Sequence, residues 1–248
     1  MLSKIRKVVL PLAFWLLLWH VCSLVVDNSF MLPGINKTLD ALLVLVSQKS
    51  FYKAVILSAF RVILGLIYGC LFGVILAVLC QRFKIINEIF SPIITVIRST
   101  PVASFIVILW LIMSGDKLSI FIGFIMVLPI IWQSTTDAIL SIDESLLEVA
   151  KVYEFSYFKK FRLLILPTLR KFLFPAIITS SGLAWKAEIA AEIIAYTKNS
   201  IGQGINDAKY VMDTATVFAW TLVVIFFSII LESCARFLLW RSKNGTGN

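Results

Sequence analysis

The sequence predicts an all-α integral membrane protein with about six transmembrane helices, organised as one membrane domain over residues 1–248. Three observations predict it. Of the 248 residues, 60% are hydrophobic and only 15% are charged, against about 45–50% and about 25% in soluble domains. The apolar residues fall in runs of roughly 20, the length that crosses a bilayer. The charges lie between those runs, as membrane topology distributes them.

The first run, Val8–Val26, follows Lys4, Arg6 and Lys7. It is longer than a signal-peptide core and has no convincing small-x-small cleavage site, so it reads as a retained helix. Residues 27–52 form an external segment, with Leu32-Pro33-Gly34 and then a short amphipathic stretch, Lys37–Val46. The second span, about Val55–Cys80, carries Gly65, Gly69 and Gly73. Small residues at this spacing let two helix backbones approach closely in lipid. The third span, about Ile89–Met113, is interrupted at Pro101, and the fourth is about Leu118–Ser134. A long cytoplasmic segment, residues 137–171, precedes the fifth span, about Phe172–Ala195. The sixth is about Thr214–Ala235, and a short tail at 244–248 is expected to be disordered.

With the N-terminus in the cytoplasm, 14 Lys and Arg fall in inside segments and 6 in outside ones; Arg61, Arg98 and Lys186 lie within spans. Positive residues stay on the cytoplasmic side, so both termini are expected there. The net charge of +9 forms no single patch, which argues against nucleic acid and for a lipid partner. Cys22, Cys70, Cys80 and Cys234 sit in or beside apolar stretches without a metal spacing, and His20 is the single histidine, so no metal site is expected. No HExxH and no GxxxxGK[ST] occurs, which leaves little catalytic equipment and no ATP-binding loop. Neither catalytic residue nor cofactor is therefore expected in this chain.

In the cytoplasmic segment, Ser141 and Glu144 fit a capping box that would start a helix near Ile142. Leu146, Ala150, Tyr153 and Tyr157 follow as one apolar stripe. Pro167 marks a break before the fifth span. Such a helix can lie on lipid, pack on its own spans, or dock in a groove of a cytoplasmic partner.

Ionisable residues inside spans are functional candidates. On the fifth span Trp185, Glu188 and Glu192 share one face while Lys186 points away, and Arg61 and Arg98 are possible partners. Three readings stay open: a packing ion pair, a polar lining or outer gate of a substrate path, and a proton or cation relay. The carboxylates would repel an anion unless Arg98 or Lys186 dominates the path, which keeps neutral and cationic solutes open.

Several stretches carry a family resemblance. Glu148-Val149-Ala150, then Glu154, Leu164, Leu166 and Pro167, follow the spacing Glu-Ala-Ala, three residues, Gly, nine residues, Ile, one residue, Leu-Pro. Val149 replaces an Ala, Leu164 an Ile, and Glu154 the Gly that would make a tight turn. Phe30-Met31-Leu32-Pro33, Arg98-Ser99-Thr100-Pro101-Val102-Ala103, Trp185-Lys186 with Ala190-Ala191-Glu192-Ile193, and Gly202-Gln203-Gly204 add to it. Together they resemble the permeases of ABC importers, of the subfamily associated with sulfonate, taurine, nitrate, bicarbonate and thiamine-pyrimidine-precursor uptake. The resemblance implies a type I importer fold. It implies a second copy of the permease, two ATPase subunits holding ATP and Mg, and an extracytoplasmic substrate-binding protein. It places ATPase coupling on the Glu148–Pro167 loop. The rival expectation is an ion-coupled secondary transporter working through Glu188 and Glu192.

Overall fold

The computed structural model describes residues 2–113 and 115–244, with side chains described from Val9 to Phe237. Of the expected tail, Asn244 ends the last helix and residues 245–248 lie outside the described residues. Every regular element among the described residues is helical: α1 Leu2–Val26, α2 Ile35–Ser47, α3 Lys49–Arg82, α4 Lys84–Ser99, α5 Val102–Trp110, α6 Asp116–Leu140, α7 Glu144–Val152, α8 Tyr157–Lys160, α9 Leu166–Ile194, α10 Ile201–Tyr210 and α11 Thr214–Asn244. Five segments are long and apolar enough to cross a membrane, six if the bent pair α4–α5 counts as one span.

That pair is where the structure reshapes an expected span. Instead of one interrupted helix over 89–113, α4 and α5 meet at 104°. Thr100 precedes a proline and takes an extended backbone (φ −84°, ψ 133°), because the proline ring disfavours the helical region for its neighbour.

The second proline expectation is corrected. Pro167 does not end a helix; it sits in the first turn of α9, where its missing N–H costs little. A π-helical turn, Phe161–Ile165, leads into it. Leu166 N donates five residues back to Phe161 O, and the hydroxyl of Thr168 donates to Leu164 O at 2.9 Å. Proline removes the bond to the carbonyl four residues back and crowds it; the wider π turn accommodates that loss, so Tyr157–Ile194 runs as one long span.

α6 is the centre of the bundle. The apolar window of α6 is 61% buried, against 28% for α3 and none for α1. α3 packs on one side of α6 through a glycine seam. A Cβ on Gly65 would fall 3.0 Å from Ile120 O, one on Gly69 3.2 Å from Phe124 O, and one on Gly73 3.0 Å from Leu128 O. Each step of four on α3 meets a step of four on α6, so the two helices run parallel. Backbone-to-backbone approach of this kind replaces the hydrophobic drive that is absent between helices in lipid.

α9 packs on α6 in the opposite direction and completes the core. Val62, Val127, Ile131, Trp185, Ile189 and Ile201 form its largest buried cluster. α11 packs on α9, α2 and α10, where Trp185 Nε1 donates to Val224 O at 2.9 Å. α1 stands apart. Trp19 ties it down, donating to Pro33 O at 3.1 Å and lying 5.7 Å from the Phe218 ring.

Candidate functional site: polar groups at the two ends of the bundle

The starts of α3 and α6 and the end of α9 meet at one end of the bundle, beside α10. There Arg61, buried in the second span, binds two carboxylates. Nη2 lies 2.7 Å from Asp116 Oδ1 and Nη1 2.8 Å from Glu192 Oε1. It also donates through Nε to Asp116 at 2.9 Å and through Nη2 to Lys198 O at 3.3 Å. Glu192 is 1% exposed, and its charge is met by further donors: the Ser58 hydroxyl at 2.8 Å and Gly202 N at 3.2 Å.

These bonds close the N-terminus of α10. The first N–H groups of a helix have no partner inside it, and its positive end favours a carboxylate. Ile201 N donates to Ser58 Oγ at 3.1 Å, Gly202 N to Glu192, and Gln203 N to the Ser200 hydroxyl at 2.9 Å. A Cβ on Gly202 would lie 2.5 Å from the Glu192 carbonyl carbon, so only glycine lets α10 start there.

Of the two possible partners in the sequence reading, Arg61 is brought to Glu192 and Arg98 is not. Arg98 is exposed near the end of α4 and makes a long bond, 3.4 Å, to Gln133 Oε1. Gln133 in turn donates to Asp137 at 2.8 Å. Pro101 is exposed at the α4–α5 bend, and Lys186 is exposed on α9. Trp185 and Glu188 are fully enclosed. Glu188 lies against Gly65 and Gly123, and neither of its oxygens has a donor.

Three polar contributors escaped the sequence reading. Asp116 follows Gly115 and resembles an ordinary loop acid. Ser58 precedes Arg61 by three residues, a shared helical face that could have linked them. Glu232 lies in the sixth span, half-buried against Gly182 of α9; its charge in an apolar run was the available signal.

The opposite end carries the residues of the 137–171 segment. Asp143, rather than the expected Ser141, caps α7: its Oδ1 accepts from Ser145 N at 2.9 Å. Hydrogen bonds from Ser145, side chain and backbone, hold the Asp143 carboxyl below its ordinary range. The expected apolar stripe is not a buried face. Ala150 is buried, but Leu146, Tyr153 and Tyr157 are 48%, 72% and 96% exposed. α7 also ends at Val152, so Tyr157 belongs to the next helix.

The turn that ends α7 forms without glycine. Phe155 N donates to Ala150 O at 2.8 Å and Glu154 N to Lys151 O at 3.1 Å, the two bonds of a Schellman stop. Glu154 takes the left-handed conformation, φ 47°. A notch of about 550 Å³ opens beside the turn, lined by Glu144, Glu148, Ala150, Lys151, Phe155 and Lys160, among others. Glu148 and Val149 are exposed, Leu164 and Leu166 are half-buried, and Pro167 is exposed. The loop thus presents charged and apolar groups outward on a short, capped helix.

Comparison with known proteins gives this arrangement a family. The model of the family described as "Binding-protein-dependent transport system inner membrane component" matches residues 69–242. The putative aliphatic sulfonates transport permease protein SsuC of Bacillus subtilis is 26% identical over 184 residues, 73% of this chain and 66% of that protein. The taurine transport system permease protein TauC of Escherichia coli is 22% identical, covering 89% of this chain and 82% of that one. The bicarbonate transport system permease protein CmpB of Synechococcus elongatus is 26% identical, covering 97% and 90%. An inward-facing structure of the MetNI methionine ABC transporter has the same fold, with a TM-score of 0.58 at 14% identity over 77% of this chain and 93% of that one. The family match spans well over half of the sequence, and the chain belongs to the inner-membrane permease components of binding-protein-dependent transport systems, with the type I ABC importer fold.

Proposed function

We propose that the chain is the permease subunit of an ATP-driven importer, working as a homodimer with two ATPase subunits and an extracytoplasmic binding protein. Both termini and α7 lie in the cytoplasm, and α10 faces outward. The charge count of the loops supports this orientation. ATP and Mg belong to the ATPase, because the chain has no phosphate-binding loop.

The observation that carries the reading is α7. It stands at the end of the bundle remote from α10, with Leu146, Val149, Val152 and Tyr153 48–78% exposed. Apolar groups left open on a capped helix suit docking into a groove on a partner. Glu148, Val149, Ala150 and Glu154 are assigned to that contact, and Leu164, Leu166 and Pro167 to the link that carries it into α9. A stand-alone secondary transporter is not favoured, since the family works as one component of a binding-protein-dependent system.

The substrate reading also shifts. Glu188 and Glu192 are buried inside the bundle, whereas Arg98 and Lys186 are exposed. We assign Arg98 and Lys186 to the solute path, where their positive charge would favour a small anion. The names of the similar proteins, for aliphatic sulfonates, taurine and bicarbonate, agree with an anionic headgroup; nitrate is of the same class, and a thiamine-pyrimidine precursor fits less well.

The test is copurification of the solubilised chain with its ATPase. Glu148→Arg is expected to release the ATPase while leaving the permease folded. A stable chain with no ATPase partner would overturn the reading. Uptake of a sulfonate against a cationic amine then decides the charge class.

A further inference from the structure

The most unusual group in the bundle is the Glu188 carboxyl. It is 0% exposed, and both oxygens lack a donor. It is wedged between Gly65 of α3 and Gly123 of α6, where a Cβ on either glycine would strike its Oε1. A carboxylate buried without a donor is costly, so a second arrangement that supplies one competes with this one.

The donor is one turn away. Arg61 precedes Gly65 by four residues on α3, and Glu192 follows Glu188 by four on α9. The Arg61–Glu192 and Gly65–Glu188 contacts are therefore successive layers about 6 Å apart. Arg61 and Glu192 are the charged groups that bear on Glu188. Asp116, at the start of α6, shares Arg61 but is 68% exposed. Lys186 points outward. Two carboxylates thus bind a single arginine, and a third lies one layer away without a donor.

We propose that Arg61 exchanges between Glu192, as in this structure, and Glu188 one turn deeper, and that the exchange is a latch on the N-terminus of α10. With Arg61 on Glu192, the carboxylate and Ser58 hold Ile201 and Gly202, and Lys198 O has its donor. With Arg61 on Glu188, the buried acid gains its missing donor while Lys198 O loses one. Glu192 then holds α10 without its arginine. Two discrete ion pairs sharing one side chain form a bistable element. The role of this latch in transport rests on the importer reading above.

The experiment uses Ile201, fully buried in the first turn of α10. Ile201→Cys, in a chain whose four native cysteines are replaced, is probed with a membrane-impermeant maleimide in proteoliposomes with the ATPase partner, with and without ATP-Mg. Ala208→Cys, 5% exposed on the same helix, serves as a second reporter should the first disturb folding. The parent chain is expected to label severalfold faster during ATP turnover. Glu188→Gln, isosteric and uncharged, is expected to fold, to stay at the resting rate and to lose uptake. Glu192→Gln is expected to label fast without ATP. Glu188→Asp keeps the charge and is expected to restore part of the response. Glu188→Gln with the parent's rise in labelling and the parent's uptake overturns the latch. If the parent itself shows no ATP-dependent uptake, the importer reading fails instead; the latch is then judged by resting labelling, where equal rates in Glu188→Gln and Glu192→Gln overturn it.

Discussion

Arg61 and Glu192, 131 residues apart in the chain, meet at 2.8 Å where α3, α9 and α10 converge. Arg61→Ala leaves Glu192 buried without its cation, and losing one partner of a buried pair costs about 3–5 kcal/mol. Glu192→Gln removes the charge but keeps an oxygen for Ser58 and Gly202, so its loss is expected to be smaller. Thermal denaturation in detergent compares the two. Equal or reversed losses would show that the pair is not what secures this end of the bundle.

The glycine seam makes a second, independent demand. A Cβ on Gly69 would lie 2.6 Å from Val127 Cγ1, so Gly69→Val must push α3 off α6. Overpacking of this kind costs roughly 1–3 kcal/mol. Gly34→Ala is the control, because its Cβ would meet only Ser23 Oγ, at 3.3 Å. Monodispersity after solubilisation is expected to fall for Gly69→Val and to hold for Gly34→Ala.

Much of this bundle was legible in the sequence, for physical reasons. Lipid demands long apolar runs, so the spans at Val55–Cys80 and Thr214–Ala235 could be read directly and appear as α3, longer at both ends, and α11, longer at its C-terminal end. The break at Pro101 was legible because proline constrains its predecessor. Pro167 misled, because the same residue is tolerated in a first turn and its location relative to the turn depends on the π-helical lead-in. Helix ends were the hidden part. α7, α9 and α10 stop with Glu154, Tyr196 and Met212 in left-handed conformations, φ 47°, 51° and 57°, and none is the glycine that normally signals such a stop. The pairing of Arg61 with Glu192 rather than with Glu188 was equally out of reach, since both acids lie on one face of α9 and only the packing of α10 chooses between them.

Glu154 supplies a direct test of that left-handed stop. A non-glycine residue there costs about 1–2 kcal/mol, so Glu154→Gly is expected to stabilise the end of α7 and Glu154→Val to fray it. Amide exchange at Phe155, whose N–H donates to Ala150 O, reports the difference. Faster exchange in Glu154→Gly would contradict the assignment.

The cap of α7 responds to acid in a defined direction. Bonds from Ser145 lower the Asp143 carboxyl below its ordinary value of 3.8. The cap therefore contributes fully above that value, the unfolded one, and its contribution is lost as pH falls through the lower folded value. Exchange of the Ser145 amide should stay protected down to pH values under 3.8 and then rise. In Asp143→Asn, whose amide oxygen caps without titrating, this acid-dependent rise should vanish. A rise that persists in the variant would assign it to another carboxyl.

Val152 separates a docking surface from a merely solvated one. It is 78% exposed at the end of α7, and the bundle makes no use of it. Exposed surface positions away from special features change stability by little, within about 0.5 kcal/mol, so Val152→Asp should leave the permease as stable as the parent. Truncating or charging an apolar anchor at the centre of an interface, in contrast, costs about 2 kcal/mol or more of binding. Copurification of the ATPase with Val152→Asp is expected to drop by at least an order of magnitude while the melting temperature holds. If binding holds as well, Leu146 and Tyr153, on the same exposed end of the molecule, would have to carry the contact without Val152, and α7 would dock by a narrower face than its apolar surface suggests.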